Sequence, residues 1–100
     1  MDARFFAVVR GLEKKDANAD LQLQEALKVD NPKKCALLLS LMQTQAKEIC
    51  YLQESLSEAF AKNGLRSYLF PSLLCQKASH RVITLAEHCL QLSIQNKPKL

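Results

Sequence analysis

The chain has 100 residues, of which 48% are hydrophobic and 24% are charged, and its formal net charge is +4. A chain of this length forms a single small domain over residues 1–100, and two glycines and three prolines are too few for the frequent turns of a β-hairpin protein. No apolar run is long enough to span a bilayer and no secretory leader is recognisable, so we expect an all-α protein of the cell interior, in the cytoplasm or nucleus.

Residues 1–30 predict a pair of short helices. Asp2 can cap the first, in which Phe5 and Leu12 share an apolar face. The run Asp16–Asp20, with the sequence DANAD, is typical of a turn because Asp and Asn side chains bond readily to nearby backbone groups. The second helix would follow this turn, and it needs packing against the rest of the chain because very short helices are marginal in water.

The longest predicted helix covers residues 32–62. Asn31 can cap its first turn, Pro32 suits the first helical position, and Gly64 suits the position just past the helix end. Along this helix, residues recur in alternating steps of four and three, which is the heptad spacing of packed helices. The seam consists of Leu38, Met42, Gln45, Ile49, Leu52, Leu56 and Ala59, with Phe60 beside it.

This predicted helix is too long for a compact domain of the same size. At about 1.5 Å per residue it measures about 46 Å, against a diameter of about 35 Å for a compact domain of 100 residues. We therefore expect either an elongated helical bundle or a second chain that covers part of the helix. Gln45 is the one polar interruption of the seam, and such a residue can fix register or oligomeric state, or simply lie at the surface.

A last helix is predicted over residues 72–95, followed by a tail at 96–100. Its apolar residues form two stripes, which is more than one antiparallel neighbour needs. The first stripe contains Leu74, Ala78, Val82, Leu85, Cys89 and Leu92, and the second contains Ile83, Ala86, Leu90 and Ile94. Together with the helix at 32–62 it should form a long antiparallel hairpin over residues 31–95. A hairpin folded near Tyr68 would place Cys50 opposite Cys89.

The reactive side chains show no arrangement that is typical of a catalytic site. The sequence has no glycine-rich phosphate loop, nucleophile elbow or H-E-x-x-H motif, so we predict that the protein is not an enzyme and uses no cofactor. The four cysteines lack metal-ligand spacing and are expected to be reduced and buried, without a bound metal. His80 and His88 fall on the polar side of the last helix, where we expect them to be solvated.

These patterns favour a non-enzymatic scaffold, an interaction and assembly module that oligomerises or docks a helix of a partner protein through coiled-coil-like apolar faces. The candidate interaction residues are Leu38, Met42, Gln45, Ile49, Leu52, Leu56, Phe60, Val82, Leu85, Leu92 and Ile94. Some of them must instead form the core of the chain itself. The alternative is a basic helical module that binds nucleic acid or an anionic membrane surface. A nucleic-acid contact would use Lys14, Lys15, Lys33 and Lys34, with Arg66, Arg81, Lys97 and Lys99 as further candidates, whereas a membrane contact would use the amphipathic first helix. The basic residues do not share one helix face and have no aromatic platform beside them, and Asp2 and Glu13 count against a membrane-targeting helix, so neither nucleic acid nor membrane is the expected partner.

Overall fold

The computed structural model describes residues 3–62 and 73–95, and within these ranges it contains three α-helices and no strand. Helix α1 is Ala3–Ala26, α2 is Pro32–Lys62 and α3 is Leu73–Gln95. The predicted all-α class is confirmed. The predictions made for Asp2, Gly64, Arg66, Tyr68 and the tail at 96–100 lie outside the described residues.

The predicted start of the long helix is confirmed in atomic detail. The Asn31 side chain accepts hydrogen bonds from the backbone N–H groups of Lys33 and Lys34, at 2.9 and 3.1 Å. These are two of the donors that a helix leaves without a partner in its first turn. Pro32 supplies the first helical residue, and the helix ends at Lys62, as the sequence predicted.

The N-terminal region is one continuous helix, so the prediction of two short helices is wrong. The run Asp16–Asp20 lies in the middle of α1 and does not form a turn. The guanidinium of Arg81, on α3, donates to Asp16 at 2.6 Å and to Asp20 at 2.8 Å. Because these aspartates bind a cation on a neighbouring helix, they do not turn back to their own backbone, and tertiary contact overrides the local turn preference.

Two disulfides join α2 to α3, so the prediction of four reduced cysteines is wrong. Cys35 bonds to Cys89 and Cys50 bonds to Cys75, with Cα–Cα distances of 5.6 and 4.7 Å. The bonds are nested, since Cys35 pairs with the later cysteine of α3 and Cys50 with the earlier one, and the two helices therefore run antiparallel. Disulfides persist mainly in oxidising compartments, so the two bonds do not support the predicted cytoplasmic or nuclear location, which stays a prediction.

The register of the hairpin also differs from the prediction. Cys50 faces residue 75 instead of residue 89, a slide of 14 residues along α3. This slide equals two heptads, and each position of the first apolar stripe of α3 is therefore replaced, in the new register, by another position of the same heptad type. Periodicity alone cannot distinguish two registers that differ by whole heptads, whereas the disulfide pairs do.

The molecule is a rod of 63 × 17 × 16 Å whose core is divided into two apolar clusters. One contains Leu12, Ala46, Ile49, Leu56, Phe60, Leu74 and Ala78, and the other contains Ala26, Cys35, Met42, Leu85 and Leu92. Each helix carries a polar residue between its contributions to the two clusters: Asp16 on α1, Gln45 on α2 and Arg81 on α3. Arg81 and Asp16 are both buried, at 4% and 8% exposure. This buried ion pair fixes the position of α1 along α3, because sliding α1 along the rod would separate the two charges.

Candidate functional site

The heptad seam of α2, called the inner seam below, is the core of the chain itself. Its residues Met42, Ile49, Leu56 and Phe60 are buried, and Leu38, Leu52 and Gln45 are partly buried. Leu38 and Leu52 pack against the two core clusters. In the folded chain α1 and α3 cover most of these side chains, while Leu38, Met42 and Gln45 also line a groove between α1 and α2.

The candidate residues of α3 divide into an inner and an outer group. Leu85 and Leu92 are buried and Val82 packs against both core clusters. Ile94, by contrast, is 55% exposed. Of the eleven candidate interaction residues, Ile94 is the one that the structure places on an open surface.

Ile94 belongs to the second apolar stripe of α3, most of which is exposed. Ile83 and Leu90 are 55% and 60% exposed, and Ala86 beside them is partly buried. Successive residues of a helix are about 100° apart, so Ile83, Leu90 and Ile94 lie about 180–220° around α3 from Arg81. Arg81 reaches α1, and the stripe therefore faces away from α1.

Glu87 completes a heptad pattern on this exposed face. Ile83, Glu87, Leu90 and Ile94 follow one another in steps of four, three and four, and we call these four residues the outer seam. Glu87 is exposed, and no ion pair joins it to another described residue. The outer seam is thus an exposed apolar face with one negative charge near its middle.

Among the surface grooves of residues 3–62 and 73–95, two border the seams. The first, of 820 Å³ between α1 and α2, is lined by Leu21, Leu38 and Leu41, among others. Gln45 also lines it, and its side-chain oxygen is buried with no hydrogen-bond partner among the described residues. The second groove, of 670 Å³, lies between α2 and α3, and its walls include Cys50, Tyr51 and Ile83. This second groove adjoins the outer seam through Ile83.

Three basic residues are held in ion pairs with carboxylates of the described chain. Arg81 is buried between two aspartates, Lys15 pairs with Glu48 across α1 and α2, and Lys28 pairs with Glu25 at 3.3 Å. A buried, doubly paired arginine cannot contact a phosphate without breaking the fold. These pairings leave the nucleic-acid and membrane alternative with fewer free cations than the sequence suggested.

His88 has a structural role that the sequence did not indicate. Its ring nitrogen Nε2 lies 2.8 Å from the carbonyl oxygen of Val29, in the segment between α1 and α2, and the side chain is partly buried. Because a carbonyl only accepts hydrogen bonds, Nε2 carries the proton and donates. The expectation of a solvated His88 is wrong, while His80 is exposed as predicted.

Residues 3–62 and 73–95 contain no group of three His, Cys, Asp or Glu side chains placed to hold a metal ion. Over the same ranges, no helix combines the length and the apolar character that crossing a bilayer requires. Comparison with protein families, curated proteins and solved structures found no match to this chain.

The second apolar stripe of α3 is visible in the sequence, but the predicted interaction residues include only Ile94 from it. Ile83 and Leu90 are absent from the predicted interaction residues, although the width of the apolar arc on α3 was the signal that could have found them. Glu87 gave a further signal, since a charge flanked at heptad spacing by Ile and Leu is typical of a surface that contacts another helix.

Proposed function

We propose that this protein is a non-enzymatic interaction module that docks a helix of another protein along the outer seam of α3. The observation that carries the proposal is the exposure of three large apolar side chains, Ile83, Leu90 and Ile94, at heptad spacing on one face of a helix whose opposite face is fully packed. Aligned apolar side chains of this kind are the usual signature of a helix-docking surface.

The exposed area is large enough to contribute useful binding energy. Apolar surface removed from water stabilises a complex by about 25 cal/mol per Å², and a fully buried Leu or Ile side chain by about 1.5–3 kcal/mol. The three outer-seam side chains are each more than half exposed, so covering them recovers a substantial share of that energy. The costs of association are of similar size, and we therefore expect a moderate, reversible affinity.

Glu87 determines the chemistry of the partner. A charge within an apolar seam selects a partner that brings the opposite charge and rejects one that brings the same charge. A second copy docked through the same seam would bring its own Glu87 close to the first, which is unfavourable. The preferred partner is therefore a helix of a different protein, with apolar residues at heptad spacing and a Lys or Arg opposite Glu87.

Synthetic peptides can test this proposal directly. Two amphipathic helical peptides would be labelled and titrated with the protein by fluorescence anisotropy, identical except for Lys or Glu at the position that faces Glu87. We expect the Lys peptide to bind more tightly, by about two- to fivefold, the range of a partly exposed ion pair. Glu87→Lys should reverse this preference.

The variant Leu90→Arg should abolish binding of both peptides, because it places a charge at the centre of the docked surface. Gln24→Arg is the matched control, since it adds the same charge at an exposed position of α1, away from Glu87 and from the outer seam, and should retain binding. Equal binding by both variants would overturn the proposal. Light scattering should show a monomeric wild-type protein, and a dimer that Leu90→Arg dissociates would overturn the assignment to a different partner protein.

A further inference from the structure

The two disulfides lie in different surroundings. Cys35 is fully buried, at 0% exposure, within the second core cluster, and Cys89 packs against the same cluster. Cys50 and Cys75 are both partly buried, and Cys50 lines the open groove between α2 and α3. A small molecule in this groove can therefore reach Cys50 without entering the core.

Position along the helices does not separate the two disulfides, because each has one cysteine in the first turn of a helix. Cys75 is the third residue of α3, and its backbone N–H donates to the side chain of Gln53 at 2.9 Å, which stabilises this turn. Cys35 is the fourth residue of α2. The difference between the two bonds is their burial, since Cys35 is fully buried and Cys50 borders an open groove.

We propose that Cys50 is a site of reversible modification by small thiols, and that the Cys50–Cys75 disulfide exchanges while Cys35–Cys89 stays closed. The attacking thiolate forms a bond to Sγ of Cys50, the Cys50–Cys75 bond breaks, and the electron pair leaves on Sγ of Cys75. A second thiolate can then attack the added sulfur and release Cys50, so that two thiols are oxidised to one disulfide and the protein disulfide is reduced. The inference is independent of the proposed docking function.

The groove beside Cys50 carries one charge of each sign. Lys47 lines it one helical turn before Cys50, and Glu54 lines it one turn after. The cation attracts an approaching thiolate and the carboxylate repels it, so the groove does not select an anionic reagent, but the rate of exchange should respond to the loss of either charge. Glutathione, a small peptide thiol, is a suitable probe of this chemistry.

The experiment uses the oxidised full chain in buffers with increasing ratios of reduced to oxidised glutathione, in dilute protein. Samples are quenched with acid, alkylated and mapped by mass spectrometry. We expect a first product with glutathione on Cys50, a free Cys75 and an intact Cys35–Cys89 bond. In guanidinium chloride, where the fold no longer protects Cys35, the two disulfides should react at similar rates.

Several outcomes would overturn the inference. These are opening of Cys35–Cys89 first, opening of both bonds in one step, glutathione on a cysteine other than Cys50, or no reaction in the folded protein. As a test of charge, Lys47→Gln should slow the exchange about two- to fivefold at low salt. Lys33→Gln, an exposed position outside the groove, is the matched control and should leave the rate unchanged.

Discussion

The inner seam of α2 and the outer seam of α3 share a pattern and differ in their surroundings. Both repeat in steps of four and three, and each is interrupted by one polar residue, Gln45 in the inner seam and Glu87 in the outer seam. The inner seam is covered by two helices, while the outer seam is covered by none of the described residues. Heptad spacing therefore identifies a surface that suits a helix, but it does not say whether the helix comes from the same chain.

The position of α1 produces this difference. Helix α1 is held on one side of the hairpin by the bonds from Arg81 to Asp16 and Asp20, and by the buried side chains of Leu12 and Ala26. Because Arg81 and the outer seam lie on opposite sides of α3, the contact that fixes α1 on one side leaves the other side open. The contacts of Arg81 with Asp16 and Asp20 thus decide which side of α3 is covered by α1.

The largest effect is expected from breaking the contact that places α1. Arg81→Ala would leave Asp16 buried without its cation, and removing one partner of a buried ion pair costs about 3–5 kcal/mol. Lys77→Ala, at an exposed position one turn earlier on α3, should change the free energy of unfolding by no more than about 0.5 kcal/mol. Urea denaturation of the two variants measures the difference, and similar stabilities would contradict the buried ion pair between Arg81 and Asp16.

A second pair of variants compares the two faces of α3 directly. Leu85 is fully buried and Leu90 is 60% exposed, so the same Leu→Ala change removes very different contacts. Leu85→Ala should lower the free energy of unfolding by about 2–5 kcal/mol, whereas Leu90→Ala should stay within about 0.5 kcal/mol. Thermal unfolding followed by circular dichroism provides the measurement. If Leu90→Ala were the more damaging change, the inner and outer faces of α3 would be the reverse of those described.

The sequence predicted the helices of the hairpin well because their signals are local. Asn31 and Pro32 mark the start of α2 through hydrogen bonds and dihedral angles that depend on the first turn alone. The seam spacing likewise follows from helix geometry. Such local signals predict the all-α class, the bounds of α2 and the existence of a second apolar stripe on α3.

The remaining features depend on contacts between residues far apart in the chain. Asp16 and Asp20 look like turn residues until Arg81, 65 and 61 positions away, binds them. The pairing of Cys50 with Cys75 instead of Cys89 cannot follow from a pattern that repeats every seven residues. The same ambiguity explains why the predicted interaction residues were drawn mainly from the inner seam, since buried and exposed seams have the same spacing.

The smallest expected effect comes from the polar residues that interrupt the two seams. Gln45→Leu removes a buried amide oxygen that has no hydrogen-bond partner among the described residues. An unsatisfied buried polar group costs about 1–3 kcal/mol, so this variant should unfold at a higher urea concentration than the wild type, with a gain of about 1 kcal/mol after losses from imperfect packing of the branched Leu side chain.

Glu87→Leu is the matching change in the outer seam, and its expected effect is on association instead of on the free energy of unfolding. Glu87 is exposed, so replacing it should hardly change the free energy of unfolding of the monomer. It removes the one charge from an otherwise apolar seam, however, and with it the repulsion that opposes pairing of two copies. We expect light scattering to show concentration-dependent self-association of Glu87→Leu and none for Gln45→Leu. Because Gln45 lines the groove between α1 and α2, self-association of the Gln45 variant instead would place the pairing surface of two copies at that groove and would contradict the outer seam as the face that Glu87 keeps apart.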